Sequence, residues 1–365
     1  MSEMREILTD TANRIFSEQV TRKLLDEAEA GVWPEALWNV LYEAGMTGLA
    51  VSEVRGGAGV DPGDQLAVIR RSAFHVAPVP LAETLIGEQM LAAAELPPIE
   101  GPLTVAPLYP NDVLTLSCKD GGWRLDGILL RVPFARHVSA VVAVADYEGQ
   151  SVTVVIRPPF NLTQGNSHAN EPRDTLTLND HPVAETDVGR PGVGSSRLDV
   201  ALRGALVRAV QMVGAMEHML EATVRYALER SQFGRPIAKF QAVQHQIAML
   251  ASHTSGASAA VQGAISASQT GLALFEIAAA KARAGDAAAL VIEFAHQVHG
   301  AMGFTRDHSL HFLTRRLWTW RDEFGTEAEW NTRIGHTVAR LGGEELWAFL
   351  TAEHKDMESM SLEAV

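Results

Sequence analysis

The 365-residue chain holds a single cysteine, Cys118, so an internal disulfide framework is excluded and a reducing compartment fits. Cations are scarce: 30 Lys and Arg stand against 44 Asp and Glu, a net charge of −14. That balance argues against nonspecific binding to nucleic acid or to an anionic membrane. Long apolar runs are missing too, since no stretch approaches the ~18 apolar residues of a membrane span. The first ten residues, Met1 to Asp10, carry three acidic side chains and no apolar run, unlike a secretory leader. The expectation is a cytoplasmic protein without membrane insertion, in which the sequon Asn161-Leu162-Thr163 carries no meaning. Disorder is excluded as well, because 47% hydrophobic and 20% charged residues provide ample material for a core. The length suggests two or three domains.

Three regions differ in pattern. Residues 1–100 read as a helical domain: Leu37, Leu41 and Ala44 lie at i, i+4 and i+7, with Pro34 and Gly45 as punctuation. The run Gly56-Gly57-Ala58-Gly59 lacks the Lys-Ser/Thr of a phosphate loop and reads as a connecting turn. Residues 101–197 read as a β-barrel or sandwich domain of short strands. Val113 to Cys118 alternates, Asp120-Gly121-Gly122 signals a hairpin, and Val138–Val144, Ser151–Ile156 and Leu176–Leu178 continue the pattern. Residues 198–365 return to helix, long enough for an antiparallel four-helix bundle. Ala205, Ala209, Val213, Met216, Leu220, Val224 and Ala227 keep helical spacing until Phe233-Gly234-Arg235-Pro236 stops it. A second helix starts near Gln241, an alanine-rich third runs from Leu272 to about His299, and at least two more follow Arg315. The tail after His354 reads as polar and frayed.

Helices, then strands, then a bundle is the order of the acyl-CoA dehydrogenase flavoproteins, and the motifs resemble that family over nearly the whole chain. They are Tyr226-Ala227-Leu228-Glu229-Arg230-Ser231-Gln232-Phe233-Gly234-Arg235-Pro236-Ile237, then Phe240 to His245, then Gln297-Val298-His299-Gly300-Ala301-Met302-Gly303-Phe304. Glu43 to Leu49 resembles part of the family's first domain. The resemblance implies FAD-dependent α,β-dehydrogenation of an acyl-CoA thioester, with FAD spanning a subunit boundary. It implies that Arg230 pairs with the pyrophosphate, for which a planar guanidinium offers paired donors. It places Phe233 and Gln241 on the adenosine side, Gln297, Gly300 and Ala301 near the adenine, and Thr326 among the cofactor contacts. It implies assembly with a second copy or a paralogous subunit, and an electron transfer flavoprotein as acceptor. For each residue a plainer role stays open: a helix-end cation for Arg230, exposed amides for Gln241 and Gln297, a helix-end glycine for Gly300.

The pattern breaks at the catalytic base. The family's usual glutamate precedes a Gly-Thr pair; here Phe324 precedes Gly325-Thr326, twenty residues after Phe304. A phenyl ring accepts no proton. Counting back from Arg230 to the alternative base position reaches Gly204, flanked by Arg203 and Ala205. A one-residue shift would bring Glu323 into use; otherwise Glu323 is a surface carboxylate beside Arg321. The segments expected against the flavin ring are altered too, reading Val105 to Asp112 and Leu129 to Phe134. The expectation is therefore a chain that keeps the ADP clamp, has an incomplete base and ring site, and completes the FAD site of a partner. A non-catalytic scaffold subunit or a flavin-dependent oxidase are the alternatives.

Other constellations are weaker. His296, His299, His308 and His311 form two H-x-x-H pairs, which read as surface or pocket-lining side chains with no metal assigned. Trp318, Trp320 and Trp330 among Arg315, Arg316 and Arg321 read as core or subunit-contact residues.

Overall fold

The computed structural model describes residues 3–55, 57–109, 112–269, 271 and 273–352. Gly56, Pro110, Asn111, Leu272 and the tail around and beyond His354 lie outside the described residues. Two compact units divide the chain: one runs to Ser72 and includes Ala77–Gly204, the other comprises Ala73–Val76 and everything from Ala205.

The first unit opens with helices α1 (Glu3–Gln19), α2 (Arg22–Glu29), α3 (Glu35–Glu43), α4 (Pro62–Phe74) and α5 (Leu81–Ala93). Thr21 caps α2 by accepting from the Leu24 amide. On α3, Leu37 and Leu41 are fully buried, as their spacing predicts. Ala44 instead is the exposed C-cap, because the helix ends there and Gly45 leaves with φ 71°. Helix α5 is buried almost all round, and its Thr84 hydroxyl bridges both the amide and the carbonyl of Leu103.

Leu103 lies on β1 (Leu103–Val105), which is followed by β2 (Leu114–Lys119), β3 (Gly122–Pro133), β4 (Ala140–Tyr147), β5 (Gln150–Ile156), β6 (Leu162–Thr163) and β7 (Arg173–Val183). They form one seven-stranded sheet in the order β1-β4-β2-β3-β7-β6, with β5 added to β4. The hairpin signal is met by β2 and β3, where Asp120 (φ 50°) and Gly121 (φ 76°) make the two left-handed turn residues that match strand twist. The last strand is longer than its Leu176–Leu178 core, because β7 pairs with β3 over most of its length across two register shifts. Inward residues such as Leu116, Leu125, Val141, Val154 and Leu176 make a continuous apolar core.

Helix α6 (Arg197–Glu229) begins in the first unit and continues into the second. It is followed by β8 (Ser231–Gln232), β9 (Arg235–Pro236), α7 (Gln241–Ser268), α8 (Leu274–His299), α9 (Leu310–Asp322), α10 (Glu327–Leu341) and α11 (Leu346–Thr351). The buried side of α8 is mostly alanine, from Ala278 to Ala295, which lets α7 approach closely along its length. Trp320 and Trp330 are core residues, whereas Trp318 is 40% exposed. Cys118 is an exposed thiol near the end of β2. No helix among the described residues is long and apolar enough to cross a membrane.

Candidate active site

Two places in the second unit gather the residues that the sequence singles out. The first lies where three helices end or begin. Helix α6 stops as the Arg230 amide donates to the Tyr226 carbonyl at 2.8 Å. The Arg230 carbonyl then accepts from the Ile237 amide, closing the small hairpin of β8 and β9. Its turn is made by Phe233 (φ 51°) and Gly234 (φ 77°), and it presents the Phe233 ring to solvent at 92% exposure. Helix α8 stops at Gly300, whose φ of 57° re-aims the chain into a short turn through Phe304.

Between these ends lies a cavity of about 440 Å³, walled by Tyr226, Arg230, Phe233, Phe240, His299 and the Gly300–Met302 segment among others. Its lining is mostly apolar and aromatic. The Arg230 guanidinium stands at this wall with no side-chain partner among the described residues. Arg230, Phe233, Gly300 and Ala301 thus come together in one site. Gln241 and Gln297 do not line the cavity; both are exposed, each beside a lining residue in sequence, Phe240 and Val298. Thr326 is placed elsewhere: it is the N-cap of α10, and its hydroxyl accepts from the Glu329 amide in a capping box.

Tyr226 and Phe240 line the cavity although the sequence reading gave them no role, and His299, read as a surface or pocket-lining side chain, lines it too. Tyr226 precedes Arg230 by four residues, one helical turn, which is the signal that placed it there. Its ring stacks on His299 at 4.4 Å between centroids, and the edge of His308 meets His299 at 4.6 Å. Burial pushes the His299 imidazole down to about 4, helped by His308 and His296 and opposed by its hydrogen bond to Ala295. Burial also lowers His296 and His308. No group of three or more His, Cys, Asp or Glu with metal-binding geometry is present among the described residues.

The second place is the turn between α9 and α10, where the family's base is expected. Phe324 is only 3% exposed and left-handed (φ 55°), and the Arg208 guanidinium lies 5.8 Å from its ring centre. Glu323 is not the surface carboxylate beside Arg321 that the bland reading expects. It is fully buried and paired with Arg208 of α6 at 2.7 Å. The reason is that α9 ends at Asp322, so the next side chain turns inward toward α6.

Three further contacts fix this turn. The Trp330 indole N–H donates to the Phe324 carbonyl at 3.0 Å. The Lys281 ammonium of α8 donates to the carbonyls of Arg321 and Gly325, at 2.9 and 2.8 Å. Gly325 is required, because φ is 89° and a Cβ there would sit 2.5 Å from the Trp330 indole nitrogen. Lys281 is wholly buried, and desolvation draws it down to about 7 despite the nearby Glu323 carboxylate.

In the first unit, Asp112 is buried and ties the altered segment to β3, accepting from the amides of Tyr109 and Leu130, both at 2.9 Å. Arg131 (φ 51°) and Phe134 (φ 52°) are left-handed in the second altered segment, beside a register shift of β3.

A helical domain, a central β half-barrel and a C-terminal helical domain, in that order, define an acyl-CoA dehydrogenase-type fold. Two family models match the chain: the acyl-CoA dehydrogenase N-terminal domain over residues 2–94 and the C-terminal domain over residues 200–329. Together they cover more than half of it. The chain is 27% identical to the acyl-CoA dehydrogenase IpdE2 of Mycolicibacterium smegmatis, over 87% of this chain and 93% of the relative. Its fold matches a chain of the ChsE4-ChsE5 complex from Mycobacterium tuberculosis with TM-score 0.85 and 23% identity, covering 94% and 99% of the two chains. It also matches a variant of the Tcur3481-Tcur3483 steroid ACAD with TM-score 0.82 and 26% identity, covering 93% and 98%. The chain belongs to the acyl-CoA dehydrogenase family of FAD-dependent enzymes.

Proposed function

We propose that this chain is the ADP-clamping subunit of an acyl-CoA dehydrogenase built from unequal chains. A paralogous partner supplies the flavin-ring site and the catalytic base. The observation that carries the reading is the contrast between the two places described above. The cavity at the helix ends is intact, with an unpartnered arginine at its wall. The base position holds a buried phenyl ring, and the neighbouring carboxylate is occupied by Arg208.

The residues fit the ADP half of FAD. Arg230 pairs with the pyrophosphate, and Tyr226, Phe233 and Phe240 supply flat apolar walls for the adenosine. Gly300 and Ala301 let the backbone come close. The chemistry that bound FAD would supply is acceptance of the acyl β-hydrogen as hydride; the residues of this chain would hold the end of the cofactor remote from that step. At the other place, a fixed Phe324 amide offers a donor to a thioester carbonyl, but no side chain there is available to take the α-proton. Electrons pass on to an electron transfer flavoprotein, and the complex is cytoplasmic.

Two similar structures carry paired chain names, ChsE4-ChsE5 and Tcur3481-Tcur3483, which supports the unequal partnership. The second is a steroid ACAD, so steroid-derived acyl-CoA thioesters are the first substrates to assay. The test is turnover by the purified chain with added FAD, alone and co-purified with a paralogous chain. General-base catalysis typically contributes ~10²–10⁴-fold, so the chain alone is expected to be nearly silent and the complex active. Robust turnover by the isolated chain would overturn the proposal.

A further inference from the structure

His299 is 2% exposed, forms part of the cavity wall, and has one ring nitrogen, Nε2, that is buried without a hydrogen-bond partner. The other nitrogen, Nδ1, lies 2.7 Å from the Ala295 carbonyl. A carbonyl can only accept, so Nδ1 carries the ring proton and Nε2 is left as an acceptor. The ring cannot easily turn over to relieve this, because Tyr226 stacks on its face and His308 meets it edge-on. His308 accepts from the Leu310 amide at Nδ1 (3.2 Å), so its ring proton sits on Nε2, and no donor among the described residues, that N–H included, is in hydrogen-bond geometry with His299 Nε2. Gly303 packs beneath the pair: a Cβ there would lie 2.9 Å from His299 Cβ and 3.3 Å from His296 Nδ1. An orphaned buried acceptor destabilises a fold unless a ligand or water completes it.

We infer that His299 Nε2 reads a hydrogen-bond donor on the nucleotide held in this cavity, either the adenine amine or a ribose hydroxyl. The inference rests on the ADP-pocket reading and deepens it. Its chemical content is directional. A neutral, Nδ1-protonated imidazole accepts and cannot donate at that atom, so it favours a ligand group bearing a proton over one bearing only a lone pair. Burial holds the ring neutral well below physiological pH. An amino-purine is therefore preferred over an oxo-purine if the base is read, and a ribose over a deoxyribose if the sugar is read.

The experiment compares ADP, IDP, 2′-deoxy-ADP and 3′-deoxy-ADP by calorimetry on the full chain, in wild type, His299→Leu and His299→Gln. Loss of one such hydrogen bond corresponds to roughly tenfold in affinity. One of the three altered nucleotides is expected to bind about tenfold more weakly than ADP to wild type. The difference is expected to vanish in His299→Leu and to return at least in part in His299→Gln, whose amide oxygen again accepts. IDP as the weak ligand identifies the base; a deoxy-nucleotide identifies the sugar. If ADP binds and all four nucleotides bind alike, or the discrimination survives His299→Leu, His299 reads nothing and the pocket reading stands without it. If no nucleotide binds to wild type, alone or in complex with a paralogous chain, the pocket reading fails and this inference with it.

Discussion

Replacing Glu323 with Gln nearly preserves side-chain volume and removes the charge, leaving the Arg208 guanidinium buried against an amide. The two groups are 2.7 Å apart, and both are 2% exposed or less. Breaking one partner of a buried ion pair typically costs about 3–5 kcal/mol, because the survivor is an uncompensated charge. In a unit of roughly 150–250 residues each kcal/mol moves the melting midpoint by about 2–4 °C. The expected fall is therefore on the order of 6–20 °C, read by far-UV circular dichroism. Replacing both partners together, Arg208→Met with Glu323→Leu, should recover most of the loss, since apolar residues of similar volume substitute for such pairs with little penalty. If the proton acceptor sits in the other chain, as proposed, turnover of the assembled complex by the surviving folded population should be near wild type. A Glu323→Gln protein that melts like wild type but loses turnover in the isolated chain would refute this reasoning. It would make Glu323 the base and place the family alignment one residue out.

Arg230→Ala removes the cation from the cavity wall; if it holds a pyrophosphate through a charge-assisted bond worth about 1.5–3 kcal/mol, FAD affinity falls roughly tenfold or more. Equilibrium dialysis with FAD checks this, and unchanged retention would reduce Arg230 to a helix-end cation. Lys281 predicts a pH dependence: burial draws its pKa down to about 7 from the ordinary lysine value of 10.5, so the unfolded chain binds more protons between them. Stability should therefore rise as pH increases from about 7 toward 10, and this part of the slope should disappear in Lys281→Met, as urea midpoints across that range would report.

Much of this architecture was legible because local chemistry and tertiary packing agree. The Asp120-Gly121 turn needs two left-handed residues and obtains them, so the hairpin could be read directly. Helix α7 starts at the expected Gln241, because Phe240 is extended (φ −94°, ψ 130°) and separates it from the short 3-10 turn Ile237–Lys239. Arg230, Phe233, Gly300 and Ala301, which motif order groups together, line one cavity. Gln241 and Gln297 face solvent because each lies on the outer side of a helix whose inner side is spent on the neighbouring helix. Thr326, expected among the cofactor contacts, also opens a Thr-x-x-Glu capping box, and its hydroxyl is engaged in that local use. Glu323 could not be read at all. Its fate depends on Arg208, 115 positions away, and no spacing rule links them.

If the base is absent, as proposed, that distance explains how the turn that would carry it is kept. The α9–α10 turn is shaped by groups that do no proton transfer: Lys281 holds two carbonyls, Trp330 holds a third, and Gly325 supplies the backbone freedom. The three hydrogen bonds all end on backbone carbonyls, whatever the side chain at 324. A glutamate at that position would gain no fold stability from these contacts, and a phenylalanine loses none. It fills the apolar space and lies near Arg208, which is already neutralised by Glu323. The proposed clamp is built differently. There the backbone turns of Phe233 and Gly300 line the cavity, so the geometry that ends α6 and α8 also forms it. On the proposed reading, chemistry at the base is separable from the fold, whereas nucleotide binding at the helix ends is not. A chain that relies on a partner for proton removal can therefore keep its clamp as a consequence of folding.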